Sequence, residues 1–406
     1  MSEADPDKVL SKVLDEIHRA LEDPSFQEGV MRAARSAEEK VPRILEAYPW
    51  IKRVAEEVRE AKDRVIDNLD EYIERAMRSL EKVNAKPYLA ETPGEARSLI
   101  LGIVGTGKTV VMSKSMVAEE IGLREYLEEN GNEVWETDLG QLLIQLEHGK
   151  PMHTTAPAIH LTRERVAKLL RDKLGADLSE NDPPERMVRF VRGFLREKFT
   201  RADVGISGAN AVAADTGAIF LVENEGNIRL VTGLPEKHIV VTGVEKIVPT
   251  IIDAYKTVLV QAAYAGLFPP TYLNVISGPS STADIEHTRV YGAHGPLELH
   301  VVFIDNGRRK AAKLFLRDQL RCVRCGRCQY ECPVWRHTAN LWGGKVYGGP
   351  MGVNWTGITE GITVASGLSE LCLGCGRCNI VCPASIPLSS IIHRLKKIYW
   401  SEKSIM

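Results

Sequence analysis

The sequence predicts a mixed α+β chain in three parts: a helical region over residues 1–85, an α/β domain over 86–310, and a small helical, cysteine-bearing domain over 311–406. Three observations carry this. Apolar residues recur at helical spacing through the first part. Short Val/Ile-rich runs alternate with helical patterns through the second, and all eight cysteines fall in the third. The 406 residues are 44% hydrophobic and 26% charged, the composition of a globular protein of two or three domains.

In the first part, VLSKVLDEIHRAL and KRVAEEVREAKDRVIDNLDEYIERAMRSL put apolar residues on one helical face and Glu, Arg and Lys on a solvated one. Pro42 and Pro49 are expected to break the helices. In the second part, PGEARSLILGIV reads as a helix with proline at its start, TVVMS (109–113) as a strand, Glu119–Asn130 as a helix stopped by Gly131, and EVWET (133–137) as a strand. Helices are expected over Leu161–Leu174 and Pro184–Phe199. ADVGIS (202–207), AIFLVE (218–223), HIVVTG (238–243) and LHVVFID (299–305) read as strands, and Glu223–Asn227 as a hairpin loop.

No charged residue lies between Thr257 and Ala283, but Pro269-Pro270 and Asn274 interrupt the stretch. It reads as a buried helix (Thr250–Ala265), a turn and a strand (Tyr272–Ile276), not as a membrane span. The start, MSEADPDKVL, is acidic and lacks the apolar core of a secretory signal. The net charge of −2 gives no basic field for nucleic acid or a membrane surface. The expectation is a cytoplasmic chain. In the third part a short helix is expected at Leu314–Leu320 and a basic amphipathic helix at Ile391–Tyr399. The Gly/Trp-rich residues between them read as ordered loop, with Trp335, Trp342 and Trp355 covering the cysteine sites or meeting a partner.

The cysteines carry the chemistry. Cys322–Pro333 and Cys372–Pro383 both follow C-x2-C-x2-C-x3-C-P, the ligand spacing of a bacterial-type ferredoxin. Three thiolates of a tight loop reach three irons of one cube, and the fourth, before proline, points away. In two-cluster ferredoxins that fourth thiolate ligates the other cube. Carried onto this sequence, one [4Fe–4S] cluster takes Cys322, Cys325, Cys328 and Cys382, and a second takes Cys372, Cys375, Cys378 and Cys332. Structural zinc prefers separated ligand pairs, and disulfides do not suit a cytosolic chain. The chemistry expected is electron transfer.

Gly102–Thr109 matches the phosphate-loop pattern G-x4-G-K-[ST], and Val301–Asp305 resembles a magnesium-binding strand end. A phosphate loop needs a strand before it and a helix after it. Here a helical segment precedes and Thr-Val-Val follows, so nucleotide hydrolysis is the weakest reading. No G-x-G-x-x-G follows a strand, so no flavin or nicotinamide fingerprint is present.

Several strings in the second part resemble the LUD domain of lactate-utilisation proteins: Ser113–Met116 with Glu119–Gly122, Ala156–His160, Gly208–Gly217, Glu223–Asn227, Val244–Pro249, and Ser277–Glu286 followed by His294–Pro296. The order of parts is similar to the iron–sulfur subunit of the three-protein L-lactate oxidation system. The resemblance implies an α/β domain of the sugar-phosphate isomerase and CoA-transferase type. It also implies oxidation of L-lactate to pyruvate by a complex whose other members are a cysteine-rich-domain subunit, like those of heterodisulfide reductases, and a smaller LUD protein. Within the matching strings, Lys114 between two serines is a candidate for binding a carboxylate or phosphate. Asn210, Asp215 and Thr216, in a Gly/Ala-rich turn, are candidate ligand contacts or a structural turn. His294 is a candidate general base or a structural residue of a glycine turn. Glu245 and Lys246 read as a salt-bridged pair. The alternative to a lactate-oxidising subunit is a catalytically inert LUD scaffold that docks the ferredoxin part onto another oxidoreductase.

Overall fold

The computed structural model describes residues 5–403, so the start of the acidic N-terminal stretch lies outside them. The first part is four helices: α1 (Pro6–Leu21), α2 (Pro24–Ala47), α3 (Trp50–Asp67) and α4 (Leu69–Lys82). The carboxylates of Asp5 and Asp23 cap α1 and α2 ahead of their leading prolines. Pro49 separates α2 from α3 as expected. Pro42 does not break a helix; it lies inside α2. A proline there removes one helical N–H, and the buried face of Val30, Ala34, Ala37 and Val41 holds the helix together across it.

The centre is built on twelve strands: β1 (Lys86–Ala90), β2 (Thr109–Met112), β3 (Glu133–Glu136), β4 (Val204–Ser207), β5 (Ala211–Ala213), β6 (Ile219–Glu223), β7 (Lys237–Gly243), β8 (Ile247–Val248), β9 (Tyr272–Ile276), β10 (Ser281–Thr282), β11 (Val290–Tyr291) and β12 (Glu298–Ile304). Six form a wholly parallel sheet in the order β1-β12-β7-β4-β2-β3. Their Val/Ile runs are buried on both faces, as parallel strands must be. A second sheet, β8-β5-β6-β9, is mostly antiparallel and stands beside it.

The helices of this part are α5 (Pro93–Val104), α6 (Met116–Glu120), α7 (Leu123–Glu129), α8 (Leu139–Glu147), α9 (Arg163–Leu174), α10 (Pro184–Arg201), α11 (Asn227–Gly233) and α12 (Ile251–Tyr264). The helix expected over Glu119–Asn130 is two, because Gly122 takes a left-handed conformation (φ 60°) between α6 and α7. Glu223–Asn227 is not a hairpin loop. It turns β6 into α11, whose first amides donate to the Glu223 carboxylate at 2.7 and 3.3 Å. One face of the main sheet packs on α5 and α7 through Ile100, Val104, Leu123 and Leu127. The other packs on α4 through Leu69, Ile73 and Leu80.

The third part holds α13 (Arg308–Ala311), α14 (Arg327–Tyr330), α15 (Trp335–Thr338), α16 (Gly349–Thr359), α17 (Ile362–Leu368), α18 (Arg377–Ile380) and α19 (Leu388–Lys403). The helix expected at Leu314–Leu320 is a 3-10 turn at Arg317–Arg321. The expected loop between the cysteine runs is largely helical. Gly349–Ile358 is buried on every side, so it shows no polar stripe by which a helix is recognised. Trp335, Trp342 and Trp355 are fully buried within the chain. The first two join Phe26, Val30 and Ala34 of α2 and Leu395 of α19 in one core; Trp355 packs in another with Cys322, Cys328 and Cys378. No helix among the described residues is long and apolar enough to cross a membrane.

Candidate functional site

The ends of β2 and β4 open on a cavity of about 370 Å3, the usual ligand position in an open parallel sheet. Ser113, Lys114 and Ser115 line it from β2 and Gly208, Ala209 and Asn210 from β4. Glu223 and Glu225 face it from the β6–α11 turn, and Gln261 from α12. Two cations complete the wall: Lys246, just after β7, and Arg324, from the first cysteine run.

At one end, Ser115 Oγ accepts the amide of Ala118 and starts α6, so Lys114 stands between a strand end and a helix start. Burial pulls the Lys114 ammonium down from its ordinary range, while Asp138, Glu136, Glu225 and Glu119 pull it back up. Burial, reinforced by Asp138, pushes the Glu225 carboxyl up to about 7. Burial likewise raises Glu119 to about 7 and lifts Glu136 well above the ordinary carboxylate range. A desolvated lysine among proton-holding carboxyls is suited to moving a proton at a bound molecule.

The other end is basic. The expected Glu245–Lys246 pair gives way to a different arrangement, because arginines distant in sequence reach Glu245 first. Arg308 Nε and Arg324 Nη2 donate to its two carboxylate oxygens, the latter at 2.9 Å, and hold it down at about 2 against the cost of burial. Lys246 faces the cavity instead, and burial, with Arg324 nearby, brings it down to about 7. Ser113 Oγ and the Nε and Nη1 of Arg324 are buried without a hydrogen-bond partner in the structure.

The other candidates separate. Asn210 lines the cavity, but both halves of its amide are engaged: Nδ2 donates to Gln261 Oε1 at 2.8 Å and Oδ1 accepts from Val222 N at 2.9 Å. Asp215 and Thr216 lie outside the cavity, at the β5–β6 turn held against α4 by Ser79 Oγ, which donates to the carbonyls of Ala214 and Asp215. His294 is exposed in the loop before β12 and does not reach the cavity. The Gly105–Lys108 loop joins α5 to β2 at the opposite end of the sheet, where Lys108 pairs with Asp203 at 3.3 Å. Helix–loop–strand is the wrong order for a phosphate loop.

Cys322, Cys325, Cys328 and Cys382 line one small cavity together. The other four also gather. Burial pushes Cys332 up to about 11 and Cys378 to about 12, and the neighbouring Cys372 and Cys375 add to both. Among the described residues no three His, Cys, Asp or Glu are placed to hold a single ion. Four thiols around a void fit a larger body that presents one iron to each. Cys322, Cys325 and Cys328 are buried, whereas Cys375 is exposed and Cys372 partly so.

Comparison with known proteins agrees with this layout. The LUD domain matches residues 73–304 and a 4Fe-4S dicluster domain matches residues 318–386. The chain belongs to the LUD-domain family. It is 35% identical over 397 residues to an uncharacterized electron transport protein, YkgF, of Escherichia coli strain K12, covering 96% of this chain and 80% of that protein. It is 37% identical over 347 residues to lactate utilization protein B of Bacillus velezensis, covering 84% and 70%. The same protein of Bacillus subtilis is 36% identical over 348 residues, again covering 84% and 70%.

The LUD domain and the dicluster domain are fastened by a residue no motif drew attention to. The buried ring of His153 faces the Gly326 carbonyl through Nε2 at 3.2 Å, and its Nδ1 accepts from Thr155 N at 3.1 Å. Burial brings His153 down to about 3, so the neutral ring donates from Nε2. It stacks on Tyr330 with centroids 4.0 Å apart. Gly326 has φ +74°, and a Cβ there would stand 2.5 Å from the imidazole. The first cysteine loop is thus locked against the LUD domain.

Proposed function

We propose that the protein is the iron–sulfur electron-transfer subunit of a complex that oxidises L-lactate, or a closely related 2-hydroxy acid, to pyruvate or its counterpart. In this reading Cys322, Cys325, Cys328 and Cys382 hold one [4Fe–4S] cluster and Cys372, Cys375, Cys378 and Cys332 the second. The partners are a cysteine-rich-domain subunit and a smaller LUD protein, and the site of action is the cytoplasm. One observation carries the reading: Arg324, between Cys322 and Cys325 in the first cysteine run, is also a wall residue of the cavity. The names of the relatives, electron transport protein and lactate utilization protein, point the same way.

A bound [4Fe–4S] cluster supplies one-electron uptake and release, and lactate gives up two electrons with two protons on becoming pyruvate. The chain's own residues supply the setting. Lys246 and Arg324 neutralise a carboxylate, and Lys114 with Glu225 and Asp138 faces the proton that leaves. The first cysteine run reaches the cavity through Arg324, and the second set reaches solvent at Cys375, so the two places for iron run from cavity to surface.

The test is dye reduction by L-lactate with the chain co-purified anaerobically with its genomic neighbours. Lys114→Ala is expected to abolish it, while Asp215→Ala, outside the cavity, leaves it unchanged. Activity that survives Lys114→Ala removes this LUD domain from the chemistry and leaves the scaffold role.

A further inference from the structure

The cavity and the first cysteine run meet in a residue that the backbone does not favour. Arg324 stands at φ +63°, and the corresponding position of the second run is Gly374 at φ +69°. Left-handed backbone disfavours any residue with a Cβ. The first run therefore carries an arginine where glycine is the unstrained choice, and such strain persists where a side chain has work to do. Arg324 is 4% exposed, and its guanidinium lies over the Trp355 ring at 3.7 Å. Nη2 donates to Glu245, but Nε and Nη1 have no protein partner, and the side chain lines the cavity beside Lys246. Ser113, 1% exposed, likewise brings an unpartnered hydroxyl to the same cavity. Unpaired buried donors of this kind call for an acceptor, and a guanidinium fork suits a carboxylate.

We propose that the carboxylate of a bound small acid docks on Arg324, Lys246 and the Ser113 hydroxyl, and that its charge, arriving beside Cys322 and Cys325, lowers the reduction potential of the cluster those thiolates hold. The inference rests on the ligand assignment proposed above. A negative charge brought close, in surroundings with little water, opposes the addition of an electron. Arg324 is then a positioning residue that reports occupancy of the cavity to the neighbouring iron, so the acid-loaded protein gives up its electron more readily than the empty one.

The test uses the anaerobically purified, cluster-loaded full chain. Potentials are read by EPR-monitored redox titration alone, with L-lactate and with neutral L-lactamide; binding is read by calorimetry. L-Lactate is expected to move one cluster signal to more negative potential and L-lactamide to leave it in place. Arg324→Gly, which installs the residue of the second run, is expected to lose the shift and to weaken lactate binding roughly tenfold or more. If that variant loses iron, Ser113→Ala decides, with weaker binding and a smaller shift expected at full iron content. Lactate that binds without moving either potential, or a shift retained in Arg324→Gly, overturns the proposal. If L-lactate does not bind but pyruvate or glycolate does and shifts the potential, the lactate reading falls and this inference stands. If no small carboxylate binds, this inference falls.

Discussion

Behind Lys114, outside the cavity wall, a buried carboxyl is held by a proton that folding itself puts there. Glu119 faces Glu125, Arg124, Gln141 and Lys114, and burial raises its carboxyl from 4.5 to about 7. A folded-state value above the unfolded one means that the folded protein binds the proton more tightly. The stability linked to it is full below about pH 4.5 and is lost as pH rises through about 7. Glu119→Gln keeps an oxygen for Gln141 Nε2, which donates to Glu119 at 2.5 Å. It is therefore expected to leave Tm unchanged near about pH 4.5 and to raise it by a few degrees near about pH 8. Thermal melts at the two pH values check this, and an equal shift at both excludes burial of the charge as the cause. At this scale the sequence is only half legible. Lys114 stands out because it sits mid-motif between serines. Lys246 does not, because a local reading gives Glu245 to its neighbour, whereas the partners of Glu245, Arg308 and Arg324, lie 63 and 79 residues further along the chain.

Elements are legible where burial is one-sided or where it is complete within a strand. The Val/Ile runs of β4, β7 and β12 announce a parallel sheet, and α12 shows a long uncharged run with a clear end. α16 hides because it has no polar face, and its glycines look like loop residues until their neighbours are known. Its neighbour α17 packs in turn on the N-terminal α1 through a close backbone approach. A Cβ on Gly367 of α17 would lie 2.4 Å from the Pro6 carbonyl oxygen at the start of α1. The backbone of Gly367 is ordinary helix, so Gly367→Val acts through that contact alone. It is expected to destabilise by about 1–3 kcal/mol and to lift the start of α1, exposing Lys8, Lys12 and Arg19 to trypsin. A digestion time course reads it: cleavage at these sites no faster than in the parent protein shows that α1 is held elsewhere.

Over the whole molecule, the eight cysteines made the chemistry legible, but not its direction. Direction comes from burial, which no spacing encodes. The first run is enclosed by α3 and by α12 and the Glu245 ion network of the LUD domain. The second carries Leu373 at 70% exposure and Ile380 at 84%, on either side of exposed Cys375. Large apolar side chains this open, grouped around the only outward-facing thiol among the described cysteines, are suited to a transient protein contact. The proposed cysteine-rich subunit must approach here if electrons are to reach it, since every other thiol lies deeper. Ile380→Glu puts a charge into that contact while removing no interior packing, so the chain's own stability is expected to change by no more than about 0.5 kcal/mol. A small dye needs no docking surface. Dye reduction by the co-purified complex is therefore expected to persist in Ile380→Glu, while electron transfer from the dithionite-reduced chain to the separately purified cysteine-rich subunit slows roughly tenfold or more, the effect of about 1.4 kcal/mol or more of lost docking. Stopped-flow absorbance of the two reactions separates the outcomes. Transfer to the subunit at the parent rate places the exit elsewhere, and equal loss of both reactions shows that the substitution damages the cluster site itself.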